Sequence, residues 1–376
     1  MKLIFVLTLA LSTLPLSWAQ KDKPFFTAGK VATSDGASFH QHTTPQIVKL
    51  GNGHLAAVMG VRSKTGTPLM RIGMITSVDG GKTWAKARIL HEETEKDRLV
   101  ADPNLLVDGN RVFAFWTRAI RPNEIKRTWT WGIVSEDNGI TWSQPQEIHI
   151  PRQYAVGKQH NAIKLSTGLY AMGISWDTWP ERGLNARTEG EMNLVSSLLL
   201  SRDGFNWNLF GHNHVFLEKP LPQSTNGLAE PSLVELASGE ILMIMRSGGT
   251  RHYESRSHDG GITWSAPQPS PLVGHNTPTA LWRVKNAENE ILAIWNNAIL
   301  KRVALSAALS SDGGRTWSKP RLVDDCDDAL GASYPSITQT DDGTFVAVWQ
   351  AFPELGTREI RFARFNREWV LGEKTL

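Results

Sequence analysis

The octapeptide Ser257-His258-Asp259-Gly260-Gly261-Ile262-Thr263-Trp264 decides the fold, because the chain writes its pattern, S-x-D-x-G-x-T-W, several times. Ser77 to Trp84, Ser135 to Trp142 and Ser310 to Trp317 repeat it in full, and Ser201 to Trp207 is a version one residue shorter. The Asp-Gly and Gly-Gly steps supply the left-handed backbone of a tight hairpin. The Asp carboxylate is placed to accept N–H groups of its own turn, and the Trp to wedge apolar surface under the neighbouring sheet. Such a turn reports repeated β-modules and carries no chemistry of its own.

A second repeat runs ahead of the first. Six segments share a small or polar pair, usually ending in Pro, then a short apolar run, a turn and a second apolar run. They begin at Thr44-Pro45, Asp102-Pro103, Asn161-Ala162, Glu230-Pro231, Thr277-Pro278 and Tyr334-Pro335. Their turns fall at Asn52-Gly53, Asp108-Gly109, Thr167-Gly168, Ser238-Gly239, Glu288-Asn289 and Asp342-Gly343. The runs alternate or are β-branched, as strands should be. Repeats of about 50 to 60 residues holding several strands each indicate a β-propeller. The expected fold is all-β: a six-bladed β-propeller, almost free of helix. Five blades should carry the Asp turn between their third and fourth strands. Phe25 to Val31 should pair with the last blade and close the ring, which removes an open sheet edge.

Composition narrows the function. The chain has 376 residues, enough for one large core. Its 40 Lys plus Arg against 37 Asp plus Glu leave a net charge of +3, with no basic tract, so nucleic acid is not an expected partner. Met1 to Gln20 reads as a secretory signal, with residues 1–19 removed and 20–376 forming a single secreted or periplasmic domain. No later run is long and apolar enough to span a membrane. The single cysteine, Cys326, cannot form an internal disulfide or a Cys-rich metal site. Asp324, Asp325, Asp327 and Asp328 lack the spacing and central Gly of a calcium loop. No cofactor or metal is expected, and the protein should be a monomer.

In a propeller the innermost strands line the axis, so the residues before the template prolines should ring one mouth of the channel: Thr44, Asp102, Asn161, Glu230, Thr277 and Tyr334. Counting 15 residues on from the template positions at 45, 103, 162, 231 and 335 gives Gly60, Arg118, Asp177, Arg246 and Gln350, which should return to the same mouth. His42 and His160 lie just ahead of template positions. A polar mouth with acids, arginines and Tyr334 converging from several blades is the expected functional site, over the axis.

These residues resemble the sialidase (neuraminidase) superfamily, in particular secreted bacterial members with BNR/Asp-box repeats. The resemblance covers nearly the whole chain after the signal. Glu230-Pro231 followed by Arg246 is similar to the family's Glu and second Arg. Arg302, in Arg302-Val303-Ala304-Leu305, is similar to the third Arg, and Tyr334, in Ser333-Tyr334-Pro335, to the nucleophilic Tyr. Asp102 resembles an Asp near the substrate. The resemblance implies an exo-glycosidase releasing terminal sialic acid, or a related acidic sugar, from sialoglycoconjugates or other acidic glycans. Arginines would grip the sugar carboxylate through charge-assisted bonds. A neutral Tyr avoids placing an anionic nucleophile against that carboxylate, and Glu230 would take its proton.

The chain also departs from the pattern. Thr43-Thr44-Pro45 stands where the family has Arg-Ile-Pro, residues 51–78 contain no Asp or Glu, and Gly60-Val61-Arg62 keeps only the Arg of an Asp-x-Arg. Arg118 is the candidate for the lost Arg; Asp102, Asp177 and His42 are the candidates for the acid. Two other readings stay open: a polysaccharide lyase or other uronate-directed enzyme using Arg, Tyr and His, and a non-catalytic propeller that binds acidic glycans.

Overall fold

A computed structural model describes residues 23–32, 41–62, 70–120, 128–151, 155–156, 162–177, 194–211, 213–218, 227–325, 331–353 and 358–372. The expected signal at 1–19, together with Cys326, Asn161 and His160, lies outside them. For His42 and Asp177 only the backbone is described.

Strand β1 (Phe26–Ala32) comes first and waits for the last blade. Blade one runs β2 (Gln41–Lys49), β3 (Leu55–Arg62), β4 (Arg71–Ser77), β5 (Arg88–Glu92). Blade two runs β6 (Arg98–Asp108), β7 (Arg111–Ile120), β8 (Thr128–Ser135), β9 (Gln146–Ile148). In blade three, β10 (Ala155–Val156) and β11 (Ile163–Lys164) share one edge of β12 (Tyr170–Asp177), and β13 (Leu194–Ser201) takes the other. Blade four runs β14 (Ala229–Glu235), β15 (Ile241–Arg246), β16 (Arg251–Ser257), β17 (Gln268–Val273). Blade five runs β18 (Ala280–Arg283), β19 (Ile291–Asn296), β20 (Leu305–Ser310), β21 (Arg321–Asp324). Blade six has β22 (Ala332–Gln339), β23 (Phe345–Ala351) and β24 (Glu359–Phe365), and β1 is its fourth strand. Every blade is an antiparallel sheet, and β1 closes the ring from Phe26↔Phe365 to Ala32↔Ile360. The chain is a six-bladed β-propeller. Among the described residues its one helix is α1 (Arg367–Leu371).

The expected single core is divided. Each sheet packs both faces against neighbours, so strands such as β13 and β23 are buried along their whole length. The apolar side chains therefore collect in wedges between blades. Val48, Ala56 and Val58 of blade one meet Leu105, Ala114 and Trp116 of blade two. Ile47, Leu55 and Met59 meet Val346, Val348 and Ile360 across the closure.

The Asp turns behave as their sequence implies. Asp259 accepts from Ile262 N at 3.1 Å, Thr263 N at 2.9 Å and Thr263 Oγ1 at 2.5 Å. Ser257 Oγ donates to Asp259 at 2.8 Å and accepts from Gly261 N at 2.8 Å. Partial burial raises the Asp259 carboxyl, but the Thr263 and Ser257 donors outweigh it and bring it to about 2. The box tryptophans pack into the wedges, Trp207 completely.

Candidate functional site

The site begins as a repeated backbone irregularity. In four blades the residue before the template Pro takes positive φ: Thr44 at 46°, Asp102 at 51°, Glu230 at 47° and Tyr334 at 57°. Left-handed backbone is costly for such residues, on the order of 1–3 kcal/mol each. At each of these positions the ladder between the first two strands shifts register, between Thr43 and Gln46, Ala101 and Asn104, Ala229 and Ser232, and Ser333 and Ser336. These are bulges, which re-aim a side chain out of the strand's alternation. Strain repeated at equivalent positions marks a site.

The bulges bring Tyr334 and Glu230 together from positions 104 residues apart in sequence, the phenol donating to Glu230 Oε1 at 3.3 Å. The other oxygen, Oε2, takes Arg246 Nη1 at 2.7 Å, and the same Nη1 lies 3.4 Å from the Tyr334 hydroxyl. Arg302 Cζ stands 5.4 Å from the centroid of the Tyr334 ring. Burial and then the Glu230 charge push the Tyr334 phenol above its ordinary value, while Arg246 and Arg302 pull the other way and Asp102 adds to the rise. The phenol is therefore protonated at neutral pH, with an acceptor in contact and two cations ready to stabilise a phenolate. Burial opposes the charge of Arg246, but Glu230 and Tyr334 hold it above its ordinary value.

One residue that no motif points to organises both arginines. Asn276, φ 51°, accepts Arg246 Nε on Oδ1 at 2.8 Å and Arg302 Nη2 on its carbonyl at 3.1 Å. The only sequence hint is an Asn, tolerant of left-handed backbone, one residue before the fifth template pair. Gly331 is a second support: a Cβ there would run into the Arg302 carbonyl, and Ala332 N donates to that same oxygen at 2.9 Å. This close approach ties Arg302 to the strand that carries Tyr334.

The other expected residues are placed as follows. Thr44 N and Thr43 Oγ1 both donate to Gln350 Oε1, at 3.0 and 2.7 Å, so blade six braces the position that lacks an Arg. Arg62 ends β3 opposite Gln41. Asp102 lies within electrostatic reach of Tyr334. Arg118 is differently engaged: Nε bonds Glu93 at 2.6 Å, Nη2 bonds Glu95 at 2.6 Å, and Cζ lies 5.0 Å from the Trp131 ring. The reason is register. Gly60, Arg246 and Gln350 pair with Thr43, Ala229 and Ser333, but in blade two the equivalent of these is Thr117, opposite Ala101. That hairpin is one residue shorter, and a one-residue slip sends the side chain to the other face. Asp177 pairs with Leu194 and His42 with Val61, by backbone alone. Among the described residues no group of three or more His, Cys, Asp or Glu could hold a metal ion.

Comparison with known proteins bears on the family and the fold. The family model for the BNR repeat-like domain matches residues 53–347. A sialidase of Bacteroides fragilis (strain YCH46) is 26% identical over 311 residues, covering 73% of this chain and 53% of that protein. A sialidase of Paraclostridium sordellii is 23% identical over 243 residues, covering 60% of this chain and 57% of that protein. The chain thus spans about half the length of the curated relatives it matches. Among solved structures, the Hadza microbial sialidase Hz136 superposes with a TM-score of 0.72 at 17% identity, covering 91% of this chain and 68% of that one.

Proposed function

The chain belongs to the family of BNR repeat-like domains, and on that premise we propose that it is an exo-glycosidase releasing terminal sialic acid, or a closely related acidic sugar, through a tyrosine nucleophile. The observation that carries this reading is the Tyr334–Glu230–Arg246 contact with Arg302 against the phenol ring. Its relatives in Bacteroides fragilis and Paraclostridium sordellii are sialidases, which supports sialic acid as the substrate class.

In the proposed reaction Glu230 takes the phenol proton as the Tyr334 oxygen bonds to the anomeric carbon. The bond from that carbon to the leaving oxygen breaks, and the leaving oxygen takes a proton from Asp102. Water then attacks the glycosyl-tyrosine, giving a proton to Asp102, and the freed phenolate recovers its proton from Glu230. Arg246 and Arg302 face both the substrate carboxylate and the negative charge that passes through the phenol oxygen. A neutral phenol approaches an anionic sugar without like-charge repulsion, and its raised pKa makes the proton transfer to Glu230 part of the attack.

The test is turnover of a fluorogenic sialoside together with trapping by a 2,3-difluoro sialic acid. The wild type should turn over and carry a mass adduct on Tyr334. Tyr334→Phe, which keeps the ring packing, should lose about 10³-fold or more in kcat and form no adduct. A wild type that binds the sugar and neither cleaves it nor forms the adduct would make the chain a binding propeller.

A further inference from the structure

Arg358 stands immediately ahead of β24, at the mouth end of blade six. Its neighbour Glu359 pairs with Ala351, which pairs with Ala332, two residues before Tyr334. The guanidinium lies 5.0 Å from the centroid of the Phe352 ring, and its charge acts on the Tyr334 phenol and on Arg62. Among the described residues, no carboxylate is paired with Arg358. Arg246 and Arg118 differ in this respect, each being held by Glu at 2.7 Å or closer.

Among the described side chains, the mouth gathers Arg62, Arg246, Arg302 and Arg358 against Glu230 and Asp102. Partly burying one cation beside another is unfavourable, and here burial and the Arg62 charge both depress Arg358. Arginine nevertheless stays charged at neutral pH. A cation excess at a site rim is balanced when a ligand brings an anion. On the inner strand of blade one, the Thr43 hydroxyl and the Thr44 N–H are committed to Gln350.

We propose that Arg358, with Arg62 beside it, forms an anion subsite on the blade-six and blade-one side of the mouth that receives the carboxylate of an acidic sugar lying over Tyr334. The subsite adds Arg358 to Arg246 and Arg302 around this carboxylate. Only the choice of sialic acid rests on the glycosidase reading above.

Calorimetry on the full chain would use three probes: the 2,3-didehydro glycal of N-acetylneuraminic acid, its methyl ester, and glucuronate. The wild type should prefer the free acid over the ester. Arg358→Gln should weaken the acid by roughly tenfold to a hundredfold and leave the ester unchanged, so that the preference collapses. Arg358→Lys should recover part of it, as a point charge without the planar fork. Unchanged ester affinity doubles as the check that the variants fold. An acid-to-ester ratio in Arg358→Gln equal to the wild type's would overturn the subsite and leave the glycosidase reading standing. Binding of glucuronate but not the sialic glycal, still dependent on Arg358, would support the subsite and overturn the sialic-acid reading. A wild type that binds none of the acids overturns the subsite.

Discussion

His252 is buried at the base of the arginine cluster, and its position there makes stability depend on pH. Its Nε2–H donates to the Thr277 carbonyl at 2.9 Å. Burial, first, and the Arg246 charge disfavour a protonated ring, and the folded pKa falls to about 4. Unfolded histidine titrates near 6.5, so between these values the unfolded chain binds one more proton than the native one. Stability is then full above about pH 6.5 and declines as pH falls toward 4, by about 1.4 kcal/mol per pH unit in that window. The Asp-turn carboxylates titrate far below it, Asp259 at about 2. Urea unfolding at pH 7, 6 and 5 should show the decline in the wild type and a flatter profile in His252→Gln, whose amide keeps the donor. Parallel profiles would assign the protons elsewhere. Residues of the site differ in how far the sequence reveals them. Tyr334 and Glu230 are readable because each precedes a template Pro. Asn276 stands one step off that template and Arg358 follows no period, so only the folded neighbourhood reveals either.

At the scale of the element, the Asp turn is a device for ending one strand and starting the next without leaving its N–H groups bare. In the box at Ser257 to Trp264, one carboxylate serves two backbone donors and two hydroxyls. Asp259→Ala should remove these together and lower the unfolding free energy by about 1–2 kcal/mol, with sugar binding unchanged because the turn lies outside the mouth. Chemical denaturation alongside a binding titration would check both halves; a loss of binding at equal stability would contradict the separation of turn from site. The six template segments make blade number legible, and the five Asp turns mark the step from third to fourth strand. Register was legible only where hairpins had equal length. Blades one, four and six share one spacing, so counting along the sequence reaches Gly60, Arg246 and Gln350, whereas the shorter turn after Asp108 carries Arg118 onto Glu93 and Glu95. Hairpin length depends on turn geometry, which apolar periodicity does not report.

At the scale of the molecule, six blades in a ring give every wedge two neighbours only if the ring is shut, and β1 against β24 shuts it. Asn366 is the fastening. Its Oδ1 accepts Phe25 N and Trp369 N, each at 3.1 Å, and its Nδ2 donates to Lys23 O at 2.9 Å. It thus caps α1 and holds the start of β1 at once, while Phe26 stacks on Trp369 with centroids 4.5 Å apart. Asn366→Ala would remove the cap and strand the Phe25 N–H and Lys23 carbonyl, costing about 2–4 kcal/mol. The site residues of blade four are distant from this seam in the ring, whereas blade five adjoins it, its Leu305, Ala307 and Leu309 sharing a core with Phe26 and Trp369, and Tyr334, Gln350 and Arg358 belong to the blade that it completes. Hydrogen exchange should therefore show β1 and β24 losing protection first in Asn366→Ala, with β14 to β16 protected as in the wild type. Equal loss in all six blades would mean that the ring opens only by unfolding as one unit, and that the closure is no weaker than the blade interfaces it joins.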